Sequence, residues 1–559
     1  MKVYIKGREF ELDKNDYISS GGEGEVYING STAFKIYHDP KKMIPIGKIN
    51  ELSVLTHKNI IKPEEVLTNN QGVPIGYTMQ AIKEPYALCQ TFTKAFRDRN
   101  NITHEMMFNL TEDLRDIIKH VHEKKLLIVD LNEFNFLVNK DFKNIYAIDT
   151  DSYQTSTYPA TAIMDSIRDR HSKTFNTGTD WFSFAIVSFQ ILIGIHPYKG
   201  TFPSIKDMDT RMLKNVSVLN PLVRVPKVCY DFSIIPKNWL AWYKAVLEEG
   251  KRVIPPMSGE IIQIAAIAKQ ILGSNNLDIT LLGEYNSKIL AFVNQNGNKL
   301  VFTQKSVYLN DKELDSLQVF PGSILGFTNR MSYPIIANKN DSGTISLFNA
   351  FTKTIDKLDV MCSDLMSYDG RMYIKSTTNI LEIKCNEIGN KVLYSTKKVG
   401  SCLENGTLMF PGGIIQNLLN CWVVSLFPKA DTCYQVNLKE LRGYKIIEAK
   451  YSHKILMVIA SLNGKYDRFI FKFDNEHVEY LTQTVMDVTP VGLNFTVLDN
   501  GICVNIDEQE RLELFANDKN STNAKVVEDN AINGDQRLYK DGNTVIFAHE
   551  NKLFKMKMK

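Results

Sequence analysis

Asp130 and Asn135 lie five residues apart in the chain, between two hydrophobic runs. Because such runs fix the short loop that they enclose, Asp130 can accept a proton from a hydroxyl group and Asn135 can bind Mg²⁺. Asp149 ends the next hydrophobic segment, and a carboxylate at the end of a strand suits a metal ion that bridges phosphate groups. This combination of residue types and spacing indicates phosphoryl-transfer chemistry.

A glycine-rich segment with Gly21, Gly22 and Gly24 comes earlier in the chain, between two apolar strands. Glycine lets the backbone approach a phosphate closely, and the backbone N–H groups can then bind its oxygens. Lys35 follows in a strand that is otherwise apolar, where a buried ammonium is costly unless it meets an anion. A nucleotide phosphate would supply that anion. The alternatives are an ordinary tight turn and a surface lysine.

Asp180 precedes the most apolar stretch of the chain, which runs from Trp181 to Ile195. This stretch is shorter than the roughly 20 residues that a membrane-spanning helix needs, so it predicts a helix buried in a protein core. An aspartate at a helix N-terminus is favourable both as a cap and with the helix dipole. We therefore expect Asp180 to anchor the backbone of the loop around Asp130 by hydrogen bonds.

In their order along the chain, these motifs resemble those of a eukaryotic-type protein kinase domain, over about residues 15–270. The glycine-rich pattern G-x-x-G-x-V, the A-x-K lysine, D-x-x-x-x-N, the metal-binding aspartate and the D-x-x-S helix all occur in the kinase order. The forms D-L-N-x-x-N and D-T-D-S are closest to a bacterial and phage subgroup of this family.

The resemblance implies an α+β bilobal domain that binds ATP and Mg²⁺ in a cleft and phosphorylates serine or threonine in proteins. It implies that Asp130 is the catalytic base, that Lys35 holds the phosphates and that Asn135 and Asp149 bind the metal ion. It also implies an adenine-facing hinge from Gln80 to Ile82, behind Met79. The residues expected to bind the nucleotide are Gly21, Gly22, Gly24, Val26, Lys35, Glu51, Met79, Gln80 and Ile82.

Two departures from the family's pattern lie next to Asp130. Ile128-Val129 stands where most members have His-Arg, so control through an arginine-bound phosphorylated loop is not predicted. Asn132 stands where many members have a lysine that contacts phosphate, and this replacement bears on the catalytic rate.

The ion-pair partners expected in a kinase are also displaced. Glu51 is our candidate for the helix glutamate that pairs with Lys35, although the family's spacing falls on Lys48. No A-P-E motif is present, and Asp165 is the predicted replacement for its glutamate as the partner of Arg252.

The pattern of the sequence changes near residue 270. Residues 1–272 predict the kinase-like domain, with an N-lobe to about residue 82, a C-lobe over about 83–272 and a last helix over 258–272 that ends at Gly273. Residues 273–278 read as a linker. Over 279–559, hairpin patterns recur about every 40 residues, which is the size of a four-stranded blade, so we expect an all-β domain. A six- or seven-bladed β-propeller is the preferred architecture, and a pair of β-sandwiches or an irregular solenoid are the alternatives.

Composition limits the partners and the compartment. The 559 residues include 66 Lys and Arg against 63 Asp and Glu, a formal charge of +3 that gives no electrostatic argument for a nucleic-acid or membrane partner. The eight cysteines form no C-x-x-C pair, which favours reduced thiols in the cytoplasm over a disulfide framework or a zinc site. The expected partners are protein substrates and proteins that bind the β-rich half.

Three functions remain open from the sequence. The first is a Ser/Thr protein kinase whose propeller recruits substrates or senses a ligand. The second is a pseudokinase scaffold, which the changes next to Asp130 favour but the retention of Lys35, Asn135 and Asp149 opposes. The third is a small-molecule phosphotransferase of the aminoglycoside-kinase type, which also uses D-x-x-x-x-N followed by I-D. The Asp180 helix and the segment that contains Arg252 fit protein kinases better.

Overall fold

The computed structural model describes residues 1–160, 162–257, 271, 273–314, 322–340, 342–389, 391–490 and 492–559. The chain divides into two compact units. The first unit contains Met1–Ile267 together with Ser461–Tyr466 and Thr489–Val491, and the second contains Ala268–Ala460, Asp467–Val488 and Gly492–Lys559.

A seven-stranded antiparallel sheet forms the start of the first unit. Its strands, in the order β2-β1-β6-β7-β5-β4-β3, enclose a small core that includes Phe34 and Leu67. Only one short α-helix, α1, lies between β5 and β6. The elements are β1 (Lys2–Ile5), β2 (Arg8–Glu11), β3 (Tyr17–Ser20), β4 (Gly24–Asn29), β5 (Thr32–Tyr37), α1 (Ile46–Leu52), β6 (Val66–Thr68) and β7 (Pro74–Gln80).

Helices dominate the rest of the first unit, around a three-stranded sheet in the order β10-β9-β8. The elements are β8 (Tyr86–Ala87), α2 (Lys94–Arg99), α3 (His104–Glu123), β9 (Phe136–Val138), β10 (Ile145–Ala147), α4 (Thr177–Ile193), α5 (Met208–Leu213) and α6 (Lys237–Leu247).

The two long helices of the first unit bury their apolar residues. On α3, one apolar face is completely buried, and it contains Met107, Leu110, Leu114, Ile117, Ile118 and Val121. On α4, every residue from Thr179 to Ile193 is buried, as expected for the apolar stretch that follows Asp180. Within the described ranges, no helix is both long and apolar enough to cross a membrane. The predicted helix over 258–272 falls almost entirely outside the described residues.

The described residues of the second unit form seven four-stranded sheets. In its described part, the only helical element is one turn of 3₁₀-helix at Lys439–Leu441. Strand β11 begins at Leu277, inside the predicted linker 273–278, so the β-rich region starts slightly earlier than its sequence pattern suggested. The chain is therefore multidomain, with a mostly β C-terminal region.

The sheets of the second unit are antiparallel and follow one another along the chain, with one exception. Strand β11 does not pair with β12 but with β38, and so completes a sheet with the order β11-β38-β37-β36. The strands are β11 (Leu277–Glu284), β12 (Ile289–Gln295), β13 (Asn298–Thr303), β14 (Val307–Leu309), β15 (Lys312–Glu313), β16 (Ile324–Phe327), β17 (Pro334–Lys339), β18 (Ile345–Asn349), β19 (Thr354–Leu358), β20 (Asp364–Tyr368), β21 (Arg371–Ser376), β22 (Asn379–Ile388), β23 (Lys391–Ser401), β24 (Thr407–Phe410), β25 (Gly413–Leu418), β26 (Cys421–Leu426), β27 (Tyr434–Asn437), β28 (Lys445–Ser452), β29 (Ile455–Leu462), β30 (Lys465–Phe473), β31 (Tyr480–Val485), β32 (Phe495–Val497), β33 (Ile502–Ile506), β34 (Leu512–Ala516), β35 (Ala524–Val527), β36 (Arg537–Asp541), β37 (Thr544–His549) and β38 (Lys552–Met558).

Candidate functional site

Lys35 lies in the middle of β5, where it pairs with Val26 of β4 on one side and with Tyr77 of β7 on the other. Only 9% of the residue is exposed. Its ammonium Nζ lies 2.7 Å from Asp151 Oδ2 and 3.1 Å from Asp149 Oδ1. Burial alone would lower the pKa of this lysine, but the two carboxylates outweigh burial and raise the pKa above its ordinary value. The buried lysine therefore meets anions, as the sequence required, and stays charged.

Asp149 and Asp151 share this ammonium but have opposite pKa shifts. Burial, followed by the negative charge of Asp151, raises the pKa of Asp149 to about 6. Burial also opposes ionisation of Asp151, but Lys35 and the Tyr37 hydroxyl, which donates to Oδ2 at 2.8 Å, hold the pKa of Asp151 below its ordinary value. The sequence left the role of Asp151 open, and its only signal was the second acid of the D-T-D segment.

Asp149 adopts a left-handed backbone conformation, with φ of +59°, directly after β10 and before one turn of 3₁₀-helix. Aspartate tolerates this conformation better than most residues, and such backbone strain is concentrated at functional sites. The Ser152 hydroxyl donates to the Asp149 carbonyl at 2.8 Å and the Thr150 hydroxyl to the Ile61 carbonyl at 3.0 Å, so the turn is held from both sides.

Glu51 is not the partner of Lys35. Its Oε2 accepts instead from the Ser156 hydroxyl at 3.3 Å and from the Thr157 N–H at 3.4 Å. Helix α1 has a single buried face, which carries Lys48, Ile49 and Leu52, and Glu51 does not lie on it. The charged residue on the buried face of α1 is thus a lysine, Lys48. The carboxylate closest to the Lys35 ammonium is that of Asp151.

Asp180 anchors the loop around Asp130, as predicted. Its fully buried carboxylate accepts from the N–H groups of Ile128 at 2.9 Å and of Val129 at 3.0 Å. The His122 Nε2 atom lies 2.9 Å from the same carboxylate. Val129 has φ of +64°, which is a strained conformation for a β-branched residue. The two hydrogen bonds from Asp180 stabilise this strained segment directly before Asp130.

Asp130 and Asn135 are in direct contact. The Asn135 Nδ2 atom donates to the Asp130 carbonyl at 2.9 Å, which leaves Oδ1 as the amide atom able to bind a cation. The Asn135 carbonyl in turn accepts from the N–H of Ile148 at 2.9 Å, and Ile148 directly precedes Asp149. Asp130 Oδ1 accepts from the Met164 N–H at 2.8 Å. Lys35, Asp130, Asn135 and Asp149 are therefore linked by a short chain of contacts.

The glycine-rich turn lies beside Lys35. The exposed Glu23 carboxylate reaches to 3.5 Å from Lys35 Nζ, so an anion held by this turn is within reach of the ammonium. A Cβ atom at Gly24 would lie 2.2 Å from the Ile36 carbonyl oxygen, whereas one at Gly22 would meet open space. The glycine at position 24 is thus required by the neighbouring strand, whatever ligand the turn binds.

The predicted hinge residues lie at and beyond the end of β7. Met79 pairs with Ala33, near the start of β5, whereas Gly24 of the glycine-rich segment pairs with Tyr37 at the other end of that strand. Gln80 is the last residue of β7. Met79 and Ile82 are half-buried and Gln80 is exposed. Asn132, which replaces a lysine of the family's pattern, is buried, and its side chain accepts from the Phe134 N–H at 2.9 Å.

The predicted partner of Arg252 is wrong. Arg252 forms a two-pronged ion pair with Asp169, with Nε–Oδ2 at 2.6 Å and Nη2–Oδ1 at 2.7 Å. Asp165 is largely exposed, and it lies 3.8 Å from Arg170. Burial raises the pKa of Asp169 less than its bonds to Arg252 and to the His171 N–H lower it, so the pair stays charged.

The donor set fits a hard cation. In the described ranges, no group of three or more His, Cys, Asp and Glu side chains could hold a metal ion. Magnesium needs fewer protein ligands, because it takes one or two carboxylates, substrate phosphates and waters. Asn135 and Asp149 offer oxygen atoms, and the nearby Asp151 Oδ1 is buried with no hydrogen-bond partner among the described residues. These residues therefore suit Mg²⁺.

Comparison with known proteins does not identify the chain. No protein-family model matches the sequence, and no curated protein matches it. The assignment of a function therefore depends on the geometry of the site.

Proposed function

We propose that the first unit is an ATP- and Mg²⁺-dependent protein kinase that phosphorylates serine or threonine. The observation that carries this proposal is the chain of contacts from Lys35 through Asp149 to Asn135 and Asp130. A cation that can bind phosphate, oxygen ligands for a metal ion and a carboxylate able to accept a proton are the parts that phosphoryl transfer requires. The bilobal kinase fold and the kinase family are part of the same proposal.

Each residue has a distinct part in the proposed reaction. The Lys35 ammonium, kept charged by its two carboxylates, binds the α- and β-phosphates of ATP. The Asp130 Oδ2 atom takes the proton from the substrate hydroxyl while the hydroxyl oxygen of the substrate forms a bond to the γ-phosphorus. The bond from this phosphorus to the bridging oxygen breaks, and ADP leaves with that oxygen. Asp180 acts only by holding the loop in position.

Asn135 and Asp149 would hold Mg²⁺, whose charge would neutralise the phosphate oxygens. Asn132 stands where the family's pattern has a lysine. Its side chain accepts a hydrogen bond from the Phe134 N–H of the same loop, and it carries no positive charge. The charge around the γ-phosphate would therefore come from Lys35 and the metal ion.

For the second unit we propose a seven-bladed β-propeller that binds proteins or senses a ligand. Seven consecutive four-stranded antiparallel sheets, with the first strand completing the last sheet, support this architecture. We also propose that the protein is cytoplasmic, because all eight cysteines are free thiols, as expected in a reducing compartment.

A nucleotide-binding scaffold without turnover is the second candidate. The hydrogen bond from the Met164 N–H to Asp130 Oδ1 favours it, because a base that accepts from the backbone has one oxygen fewer for a substrate hydroxyl. The scaffold would keep the Lys35 and Asp149 contacts and bind ATP through them.

One experiment separates these proposals. Purified full-length protein is incubated with γ-labelled ATP, Mg²⁺ and a generic protein substrate, beside Asp149→Ala and the exposed control Asp165→Ala. We expect metal-dependent label on protein with the wild type and the control but not with Asp149→Ala. Binding of ATP without transfer would support the scaffold. Transfer only to small hydroxylated compounds would support the small-molecule phosphotransferase, and no binding would contradict all three.

A further inference from the structure

The second unit contains a cavity of about 410 Å³ with both polar and apolar groups in its lining. Its lining residues come from turns of four consecutive sheets and include Tyr368, Tyr451, His453, Lys454, Asp499 and Asn500. The volume lies in the range of small-molecule sites, and turns carried on rigid strands are common places for such sites.

One turn of this cavity has an unusual backbone. In five of the seven sheets, the turn between the first and second strands contains a glycine with positive φ, namely Gly297, Gly370, Gly412, Gly501 and Gly542. The β28–β29 turn instead has His453 and Lys454 with φ of +38° and +73°. Long side chains are disfavoured in this conformation, so the sequence keeps them there against a local cost in backbone energy.

The turn is held by its neighbours. The His453 N–H donates to the Tyr368 hydroxyl at 3.1 Å, and the His453 carbonyl accepts from Asn517 Nδ2 at 2.9 Å. The Lys454 N–H donates to the Tyr451 hydroxyl at 3.1 Å. These three hydrogen bonds fix the backbone of the strained turn and so hold Lys454 in a defined place.

The two lysines at the cavity, Lys540 and Lys454, differ in the groups that their ammonium ions contact. The Lys540 ammonium bonds Asp499 Oδ1 at 2.8 Å and also contacts the ring of His453, so this cation is already matched by a carboxylate. Burial and the charge of Lys540 lower the pKa of His453, which keeps its ring neutral. The Lys454 ammonium bonds the neutral amide oxygen of Asn475 at 3.2 Å. Its positive charge is therefore available for an anion.

Other groups can bind the rest of a ligand. Asn500 uses Oδ1 to accept from the Ile502 N–H at 3.1 Å, which leaves Nδ2 able to donate. Asp499 uses Oδ1 for Lys540, which leaves Oδ2 able to accept from a hydroxyl. Tyr451 and His477 form a wall of the cavity, fixed by a 2.7 Å hydrogen bond between the Tyr451 hydroxyl and His477 Nε2.

We propose that this cavity binds a small hydroxylated anion, with a carboxylate or phosphate group on Lys454 and Asn500 and a hydroxyl group on Asp499. The proposal adds a ligand class to the sensing role of the β-rich unit. It does not depend on phosphoryl transfer, because binding to the cavity is measured without ATP.

Calorimetric titration of the full-length protein with ribose 5-phosphate and with gluconate tests the proposal and separates the two anionic groups. Neutral ribose is the control ligand. We expect at least one of the two anions to bind and ribose to bind at least tenfold more weakly. Failure of both anions to bind at millimolar concentration, or binding of ribose as tight as that of the anions, would overturn the proposal.

Lys454→Gly is the sharpest variant, because glycine removes the ammonium and at the same time relieves the left-handed backbone. We expect it to weaken anion binding roughly 10- to 100-fold, the effect of one charge-assisted hydrogen bond, while the melting temperature stays the same or rises. Lys353→Gly is the matched control: Lys353 is an exposed turn residue with φ of +58° that does not line the cavity, so anion binding should not change.

Lys454→Met, which keeps the length of the side chain and the strain of the turn, guards against an effect of the glycine on folding. It should lose binding to the same extent at an unchanged melting temperature. Wild-type affinity in either Lys454 variant, or an equal loss in Lys353→Gly, would show that Lys454 does not hold the anion.

Discussion

The ammonium of Lys35 takes its charge partners from the segment after β10, and the inward-facing residue of helix α1 is itself a lysine, Lys48. Burial lowers the pKa of Lys48, and the negative charges of Asp151 and Asp149 act against this shift. Asp151 has the shorter of the two carboxylate contacts to Lys35, and its charge also contributes most to compensating Lys48. Its loss would leave Lys35 with Asp149 alone and Lys48 with weaker compensation.

Asp151→Asn should therefore destabilise the first unit by about 3 kcal/mol, because Lys35 loses the shorter of its two carboxylate contacts and keeps only Asp149. Unfolding in urea, followed by fluorescence, measures this change. Glu51→Gln is the matched comparison, since Glu51 is the partner that the sequence suggested, and it should change the stability by less than about 0.5 kcal/mol. Equal effects of the two substitutions would contradict the observed pairing.

Substitution of Asp149 should have the opposite effect on stability. The pKa of Asp149 is raised to about 6, so the folded protein binds this proton more tightly than the unfolded chain, where the pKa is near 3.8. Stability is therefore lost as the pH rises from about 4 to 6, and the ionised carboxylate remains destabilising above pH 6. Asp149→Asn should raise the melting temperature at pH 7.5, by less at pH 5, and abolish label transfer. A melting temperature lower than that of the wild type at pH 7.5 would contradict the raised pKa.

At the scale of elements, the segment 165–169 is joined to the loop after α6 through Arg252. The bidentate pair with Asp169 is largely buried, with side-chain exposures of 19% and 3%, whereas Asp165 is 79% exposed. Solvent screens an exposed pair almost completely, but a buried bidentate pair keeps its strength.

Asp169→Asn should consequently cost about 3 kcal/mol of stability, and Asp165→Asn should cost almost nothing. Thermal unfolding of the two variants in parallel checks this expectation. A larger effect of Asp165→Asn would restore the pairing that the sequence suggested.

The outcome for the elements shows what sequence patterns can and cannot fix. Helices α3 and α4 were predictable, because the 3.6-residue period and a long apolar run depend only on local residues. The anchoring role of Asp180 was predictable too, but its predicted role as a helix cap is wrong. Helix α4 begins at Thr177 and is capped by the Asn176 side chain, so Asp180 lies inside its first turn. The partners of Lys35 and Arg252 were not predictable, because they depend on the rotation of a short helix and on where a distant loop packs.

At the scale of the whole molecule, the repeat spacing predicted a propeller with six or seven four-stranded blades, and the described residues of the second unit form seven four-stranded sheets. The pairing of β11 with β38 could not be predicted from the sequence pattern, because the residues of a strand do not specify which distant strand it pairs with. The pairing register runs from Leu277 opposite Met558 to Glu284 opposite Lys552. It places the two strands side by side over their whole length.

Removal of residues 552–559 should therefore destabilise the β-rich unit strongly, although the deleted segment is short. Strands β11 and β37 would both gain an unpaired edge, and the buried residues Leu553 and Met556 would be missing from the core. We expect aggregation in size-exclusion chromatography and increased binding of a hydrophobic dye. Removal of Lys559 alone is the control. A monomeric truncated protein with unchanged melting would contradict the contribution of β38 to this sheet.

The partnership of β11 with β38 also sets the order of events during translation. The two strands are roughly 270 residues apart, so at 5–20 residues per second β11 leaves the ribosome about 15–50 s before its partner. During that time β11 has no strand of its own chain to pair with, because β38 has not yet been synthesised. The six other sheets can form in turn as they emerge, but the last one waits for β38. The nascent β-rich unit thus reaches its native state in a single late step.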